Sequence, residues 1–299
     1  MPITPVLSCI GAGRLGSALC KLLAQQVTVG QILNSTAASS QQAAEFIGAG
    51  DPVDNLNQLK AADIWLIATP DEAIATSFKS LQATAILRPG DLIFHCSGVL
   101  DSTILTGSSM SCASLHPLHS FAEPQRSVDS FHGTLCAMEG DGAALAKLGG
   151  LFSAIGARPF EINRDQKVLY HAAAVMSCNY LVTLLDMGDN ILQAAGLEQS
   201  ACTDSPLRPL IEQTLQNYYA SSAQRALTGP IARGDHDTVA AHLNALQTSS
   251  VDQQIWPDVY RSLGLASIAL ARRGKLAGRA PLERIEKLLQ TDKMLQKRP

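Results

Sequence analysis

The chain has 299 residues, of which 46% are apolar and 16% charged, with a formal net charge of −3. That length suits about two domains, and that composition buries a core, which excludes a disordered chain. The small net charge gives no global attraction to nucleic acid or anionic lipid, and the basic stretch from Arg272 to Arg298 reads as the solvated face of a terminal helix.

Short β-like runs alternate with helical ones through the first half. "VLSCIGAG" is apolar and ends in glycines, and "RLGSALCKLLAQQ" carries Leu15, Leu19, Leu22 and Leu23 at helical spacing. "VGQILNST" reads as the next strand and "SSQQAAEFIGAG" as a polar-faced helix with a glycine stop. "DIWLIATP" and "DLIFHCSG" are apolar runs bounded by turn residues, as central parallel strands require, and "SCASLHP", "GTLCAMEGD" and "ARPFEIN" follow as further strands. This is the pattern of a doubly wound, mostly parallel sheet over residues 1–162. From residue 163 to 299 the segments are helical, beginning with one long pattern closed by Gly196 and joined by Gly, Pro and Asp turns. An α/β domain followed by an all-helical domain is therefore expected.

Within the long pattern, Val168 to Leu185 is long enough to span a membrane. It carries His171 and Asn179 and is flanked by Arg164 and Asp186, so it reads as a buried core helix, with no membrane partner. Seven scattered cysteines, none in a CxxC pair, fit reduced, buried thiols. The N-terminal residues have no basic n-region or cleavage site of a signal peptide, and the expected location is the cytoplasm.

"CIGAGRLGSAL" contains Gly11-x-Gly13-x-x-Gly16 between the first strand and the first helix. Gly11 permits the tight turn, Gly13 lets the backbone approach a pyrophosphate, and Gly16 lets helix and strand pack closely. The helix N-terminus offers N–H groups and partial positive charge to the phosphates. Residues Gly11, Ala12, Gly13, Arg14, Leu15 and Gly16 thus form a candidate dinucleotide loop. The second strand ends in Asn34, Ser35 and Thr36, with no carboxylate before Glu45. Hydroxyl and amide donors there, with Arg14 in the loop, favour the 2′-phosphate of NADP, with NAD as the other candidate. Ser35 and Thr36 also suit an ordinary helix N-cap. Ala68, Thr69 and Pro70 end a strand on the ligand side of such a sheet and should flank the nicotinamide, while Asp71 reads as a helix cap.

"GAGRLG", "ATPDEAI", "HCSGVL", "SLHPLHSF", "YHAAAVMSCNY" and "ALTGPIARGD", in that order, resemble the Rossmann-like/DUF2520 family. It is similar to the superfamily of pyrroline-5-carboxylate reductase, prephenate dehydrogenase and β-hydroxyacid dehydrogenases. The resemblance covers nearly the whole chain. It implies an NAD(P)-binding domain and a helical domain that builds a homodimer and closes over the nicotinamide, and it leaves the substrate open. In prephenate dehydrogenases a His-Pro pair after a late strand supplies the catalytic histidine, bonded by a serine after the preceding strand; His116-Pro117 and Ser97 match those places. In β-hydroxyacid dehydrogenases a Lys-x-x-x-Asn pair on the first C-terminal helix does the acid/base work. Asn179 matches the asparagine, but Val175 stands where the lysine should be.

Hydride transfer at a carbinol carbon needs a group that handles the hydroxyl proton, and histidine, with an ordinary pKa of about 6.5, suits this. His116 is assigned as the acid/base and Ser97 as its orienter; the alternative is a histidine bonded to backbone in a proline turn. His119 reads as scaffold. A metal site is not expected, because His95, His132 and His171 lack ligand spacing. His171 and Asn179 lie about 12 Å apart along a helix and about 80° around it, so both can line one cleft. Arg233 in "LTGPIARGD" is a candidate ligand for a substrate carboxylate or cofactor phosphate, or it contacts Asp235 in a turn. Three readings remain: an NAD(P)-dependent oxidoreductase acting on a small alcohol/ketone or amine/imine, a non-catalytic NADP(H)-binding dimeric sensor, and a structural helical dimer with a vestigial Rossmann domain.

Overall fold

The computed structural model describes residues 4–105, 110–197, 205–249 and 255–295. Strands β1 (Val6–Ile10), β2 (Thr28–Leu33), β3 (Asp51–Val53), β4 (Ile64–Ile67), β5 (Leu92–His95), β6 (Ser111–Pro117), β7 (Leu135–Gly140) and β8 (Arg158–Glu161) form one sheet in the order β3-β2-β1-β4-β5-β6-β7-β8. All pairings are parallel except β6 with β7. Strand order reverses between β1 and β4, which opens a crevice at the carboxyl ends of those strands.

Side chains alternate across the sheet. Ile64, Leu66, Leu92 and Phe94 enter one buried cluster, whereas Trp65, Ile67 and Ile93 enter the cluster on the other face. Both faces are thus apolar, which is why β4 and β5 read as continuous apolar runs. The layers are α1 (Arg14–Leu23), α2 (Ala37–Ile47), α3 (Asp71–Ala83), α4 (Pro124–Asp129) and α5 (Gly142–Ala154). Helix α1 turns Leu19, Leu22 and Leu23 into the core, and α2 begins on Thr36, whose side chain accepts from Ser39 N–H at 3.1 Å.

The helical part comprises α6 (Lys167–Ser177), α7 (Asn179–Ala194), α8 (Arg208–Ala220), α9 (Ala223–Ala226), α10 (Pro230–Arg233), α11 (His236–Thr248), α12 (Ile255–Gly274) and α13 (Arg279–Leu295). The chain divides into two compact units, Met1–Tyr180 and Leu181–Pro299. The second has its own core, centred on Val239, Leu243, Ile268, Leu282 and Ile285. The change of sequence character at residue 163 therefore precedes the break between units, because Lys167 and Tyr170 tie α6 to the sheet.

One strand is unanticipated and two expectations are corrected. Strand β3, with sequence Asp-Pro-Val, carries no β-forming pattern and exists as an edge strand paired only with β2. The long helical pattern is two helices, interrupted at Cys178. The apolar run is also not a buried core helix: the 164–194 stretch is long and apolar enough to cross a membrane, and its most apolar window is 0% buried. Val168, Leu169, Met176, Tyr180 and Val182 are all exposed. An apolar run records that something covers it, not whether the cover is its own chain. Its first turn is nevertheless docked on the sheet through the buried Lys167. Among the described cysteines, Cys9, Cys20, Cys96 and Cys136 are buried as expected, whereas Cys112 is half-buried and Cys178 exposed; Cys202 lies outside the described residues.

Candidate active site

The glycine loop leaves β1 with Gly11 at φ +90° and enters α1 at Gly13. A Cβ on Gly11 would lie 2.6 Å from Thr69 N, and one on Gly16 would lie 2.7 Å from Gly11 O, so only glycine fits at either position. A Cβ on Gly13 would meet nothing within 4 Å, which leaves open space in front of the loop. Helix α1 has no side-chain N-cap and no acidic residue in its first turn, so its N–H groups and dipole are available to an anion. Beside them, the buried hydroxyl of Thr69 has no partner among the described residues. A buried orphan donor next to a cradle that a side chain would fill is what a bound phosphodiester requires. The loop therefore fits a dinucleotide.

A pocket of about 430 Å³ continues from the loop, with Ile10, Leu33 and Leu56 as apolar walls and Ser35, Thr69 and Ser77 among its polar groups. Asn34 and Thr36 are less available than the sequence suggested. The Asn34 amide donates to Ser39 O at 2.9 Å and to Ala12 O at 3.4 Å, and Thr36 caps α2. Ser35 is exposed, and Arg14, also exposed, donates to Ala122 O at 3.4 Å. Asp54 and Asn55, which follow the unanticipated β3, line this pocket as well.

A second pocket, also about 430 Å³, gathers His116, His119, Tyr170, His171 and Asn179. His116 is the penultimate residue of β6, opposite Ala137 of β7. Its Nδ1 lies 3.2 Å from the Tyr170 hydroxyl, which also lies 3.3 Å from His116 O. The phenol has one proton and the carbonyl only accepts. Both contacts are satisfied when Tyr170 donates to the carbonyl and Nδ1–H donates to the phenolic oxygen, which leaves Nε2 with a free lone pair. The ring stacks edge-on with Tyr170 and His171, at centroid separations of 5.5 and 5.3 Å. Burial, reinforced by His171 and Lys167, pushes the His116 pKa down to about 4. The imidazole is therefore neutral at pH 7, not poised near 6.5 as the free side chain would be.

His171 sits against the backbone of Gly98, where a Cβ would lie 2.2 Å from Nδ1; that nitrogen is buried without a partner among the described residues. His119 is fixed by Thr134 at Nδ1 (3.3 Å) and Ser130 at Nε2 (3.2 Å) and packs on Phe121 and Phe131, a scaffold position. The assignment of Ser97 as the residue bonded to His116 is corrected. Its hydroxyl donates to Asp71 Oδ2 at 2.8 Å and accepts from Val99 N–H and Leu100 N–H. It ties the β4 and β5 loops together, and Tyr170 holds His116 instead. Asp71 accordingly begins α3 and binds Ser97, and Pro70 occupies the cap position. Arg233 ends the short α10 in the second unit with an exposed side chain, and the Asp235 carboxylate caps α11 through Thr238. Among the described residues, no group of three His, Cys, Asp or Glu is placed to hold a metal.

Sequence reasoning missed Tyr170, Lys167 and Gly98. Lys167, Tyr170 and His171 stand at i, i+3 and i+4, one face of one helical turn, and that spacing was legible. A lysine sought four residues before Asn179 is absent, but α6 does carry one, four residues before His171.

Residues 4–118 match the model of a Rossmann-like domain, and residues 134–267 match the domain of unknown function DUF2520. None of the curated protein sequences compared matches the chain. Among solved structures, the chain is similar to a candidate NADP oxidoreductase from Bacteroides fragilis, at 21% identity and a TM-score of 0.74, over 88% of this chain and 97% of that one. It is similar to a protein from Thermotoga maritima, at 24% identity and a TM-score of 0.69, over 90% and 99% of the two chains. A reductive aminase from Aspergillus terreus, solved with NADPH and ethyl-5-oxohexanoate, shares the fold at 14% identity and a TM-score of 0.56, over 98% and 94%. With its glycine loop, reversed strand order and two adjoining domain matches, the chain carries a Rossmann-like domain followed by a DUF2520 domain.

Proposed function

We propose that this protein is an NAD(P)-dependent oxidoreductase that moves hydride to or from a small polar substrate, an alcohol/ketone or an amine/imine, and that it prefers NADP while accepting NAD. The observation that carries this reading is His116: a neutral imidazole, held at Nδ1 by Tyr170, on the wall of a pocket at the strand ends. A bound nicotinamide dinucleotide supplies or accepts the hydride. The α1 N-terminus and the Gly11–Gly16 turn would hold its pyrophosphate, with the Thr69 hydroxyl available as a donor and Ser35 available to the ribose. His116 Nε2 takes the proton from the substrate hydroxyl or amine as its carbon loses hydride, and returns that proton in the reverse direction. Tyr170 fixes the tautomer, Ser97 and Asp71 brace the adjoining loops, and His171 and Asn179 line the pocket. Arg233 is the candidate ligand for an acidic group on substrate or cofactor.

We place the protein in the cytoplasm as a homodimer, with the exposed apolar side chains of α6 and α7 as the contact. The deciding experiment is His116→Ala. It should leave NADPH binding unchanged by fluorescence titration and lower turnover by about 10²–10⁴-fold. Unchanged turnover would remove His116 from its role. Cofactor binding by the wild-type protein without turnover on broad alcohol, ketone and imine panels would favour a dimeric NADP(H) sensor.

A further inference from the structure

Behind the pocket lies a buried ion pair that the proposed chemistry does not use. Lys167 is 2% exposed and Glu139 4%. The Lys167 ammonium donates to Leu100 O, to Ser114 Oγ and to Glu139 Oε1, the last at 3.2 Å, so its three protons are spent. Glu139 also accepts from Ser102 N–H and Oγ, at 2.9 and 2.8 Å, and from Arg164 Nε at 3.0 Å. These partners come from the β5 loop, β6, β7 and the start of α6. Ser114 lies two residues before His116, and Tyr170 and His171 lie three and four residues after Lys167. A lysine with every proton committed inside the protein does not serve as the acid of a reaction.

We propose that Lys167 and Glu139 are positioning residues: their pair seats α6 on the ends of β5, β6 and β7, so that Tyr170 and His171 enclose His116 and keep it a neutral base. The inference rests on the proposed role of His116 for its meaning, but not for its test. The titratable groups acting on His116 are Lys167 and His171 from α6 and Asp71 from the start of α3, with the Tyr170 hydroxyl of α6 in hydrogen-bond contact. Burial is the largest cause of its lowered pKa, with His171 and Lys167 adding to it and Asp71 opposing it. Releasing α6 removes the main cause.

The test is a histidine titration by NMR on the full chain without cofactor, with His116 assigned through the loss of its signal in His116→Asn. In the wild type, His116 should stay neutral to about pH 4. In Lys167→Met, and in Glu139→Gln, its titration should rise toward the ordinary value, so that at pH 5 the protonated fraction grows at least threefold. In the double variant Lys167→Met/Glu139→Met, an apolar pair replaces the ionic one, and titration should return near the wild-type value. Far-UV circular dichroism and a cooperative urea transition report that each variant is folded. An unmoved His116 in folded single variants overturns the proposal. If the single variants do not fold, the double variant decides: His116 near 4 supports the pair as a seat for α6, and His116 near 6.5 overturns it. Turnover enters none of these readings, so failure of the oxidoreductase assignment is seen separately.

Discussion

Lowering the pH from 7 to 5 should destabilise the first unit by about 3 kcal/mol through two histidines. Burial is the main cause that holds the pKa of His95 and of His116 to about 4. His95 is fully buried between Ser97 N–H and Asp101 O. In the unfolded chain each titrates near 6.5, so between those values the unfolded state binds protons that the folded state refuses. Stability from these groups is complete above about 6.5 and falls as pH drops toward 4. From pH 7 to pH 5 each histidine accounts for about 2 kcal/mol, and solvent screening of the partly exposed His116 brings the total to about 3. Trp65 is buried in β4 and reads this unit, while Trp256 reads the other. Urea unfolding followed by fluorescence in a Trp256→Phe background, at both pH values, measures the loss. His116→Gln should reduce it to about 2 kcal/mol. Equal stability at pH 7 and 5, or a loss unaffected by His116→Gln, would refute the assignment of neutral buried imidazoles.

Other substitutions test the geometry. Gly98→Ala would place a Cβ 2.2 Å from His171 Nδ1; it should destabilise by about 1–3 kcal/mol in urea melts and shift the His171 NMR signals. Gly11→Ala forces a side chain at φ +90° against Thr69 N, and NADPH affinity by fluorescence should fall at least tenfold. Tyr170→Phe strands His116 Nδ1–H and its carbonyl; about 1–2 kcal/mol of stability should be lost, and the turnover assay should show a lower kcat with NADPH binding retained.

The sequence by itself determined the class of fold and the position of the nucleotide loop. Both rest on short-range rules: apolar runs bounded by turns, glycines needed where backbone meets backbone, and a helix that begins where phosphate is to bind. It also brought His116, His171 and Asn179 forward as candidates, since polar groups in apolar runs stand out. Tertiary structure decided the rest. Ser97 and Tyr170 both carry hydroxyls within reach of the strand ends, and only packing of α6 chooses Tyr170 for His116 and leaves Ser97 to Asp71. Lys167 looks like an ordinary polar helix start until Glu139, 28 residues earlier, is brought against it by the antiparallel β6–β7 pairing. The neutrality of His116 likewise has no signature in the chain, because a pKa is set by what surrounds the ring and not by the residues beside it in sequence.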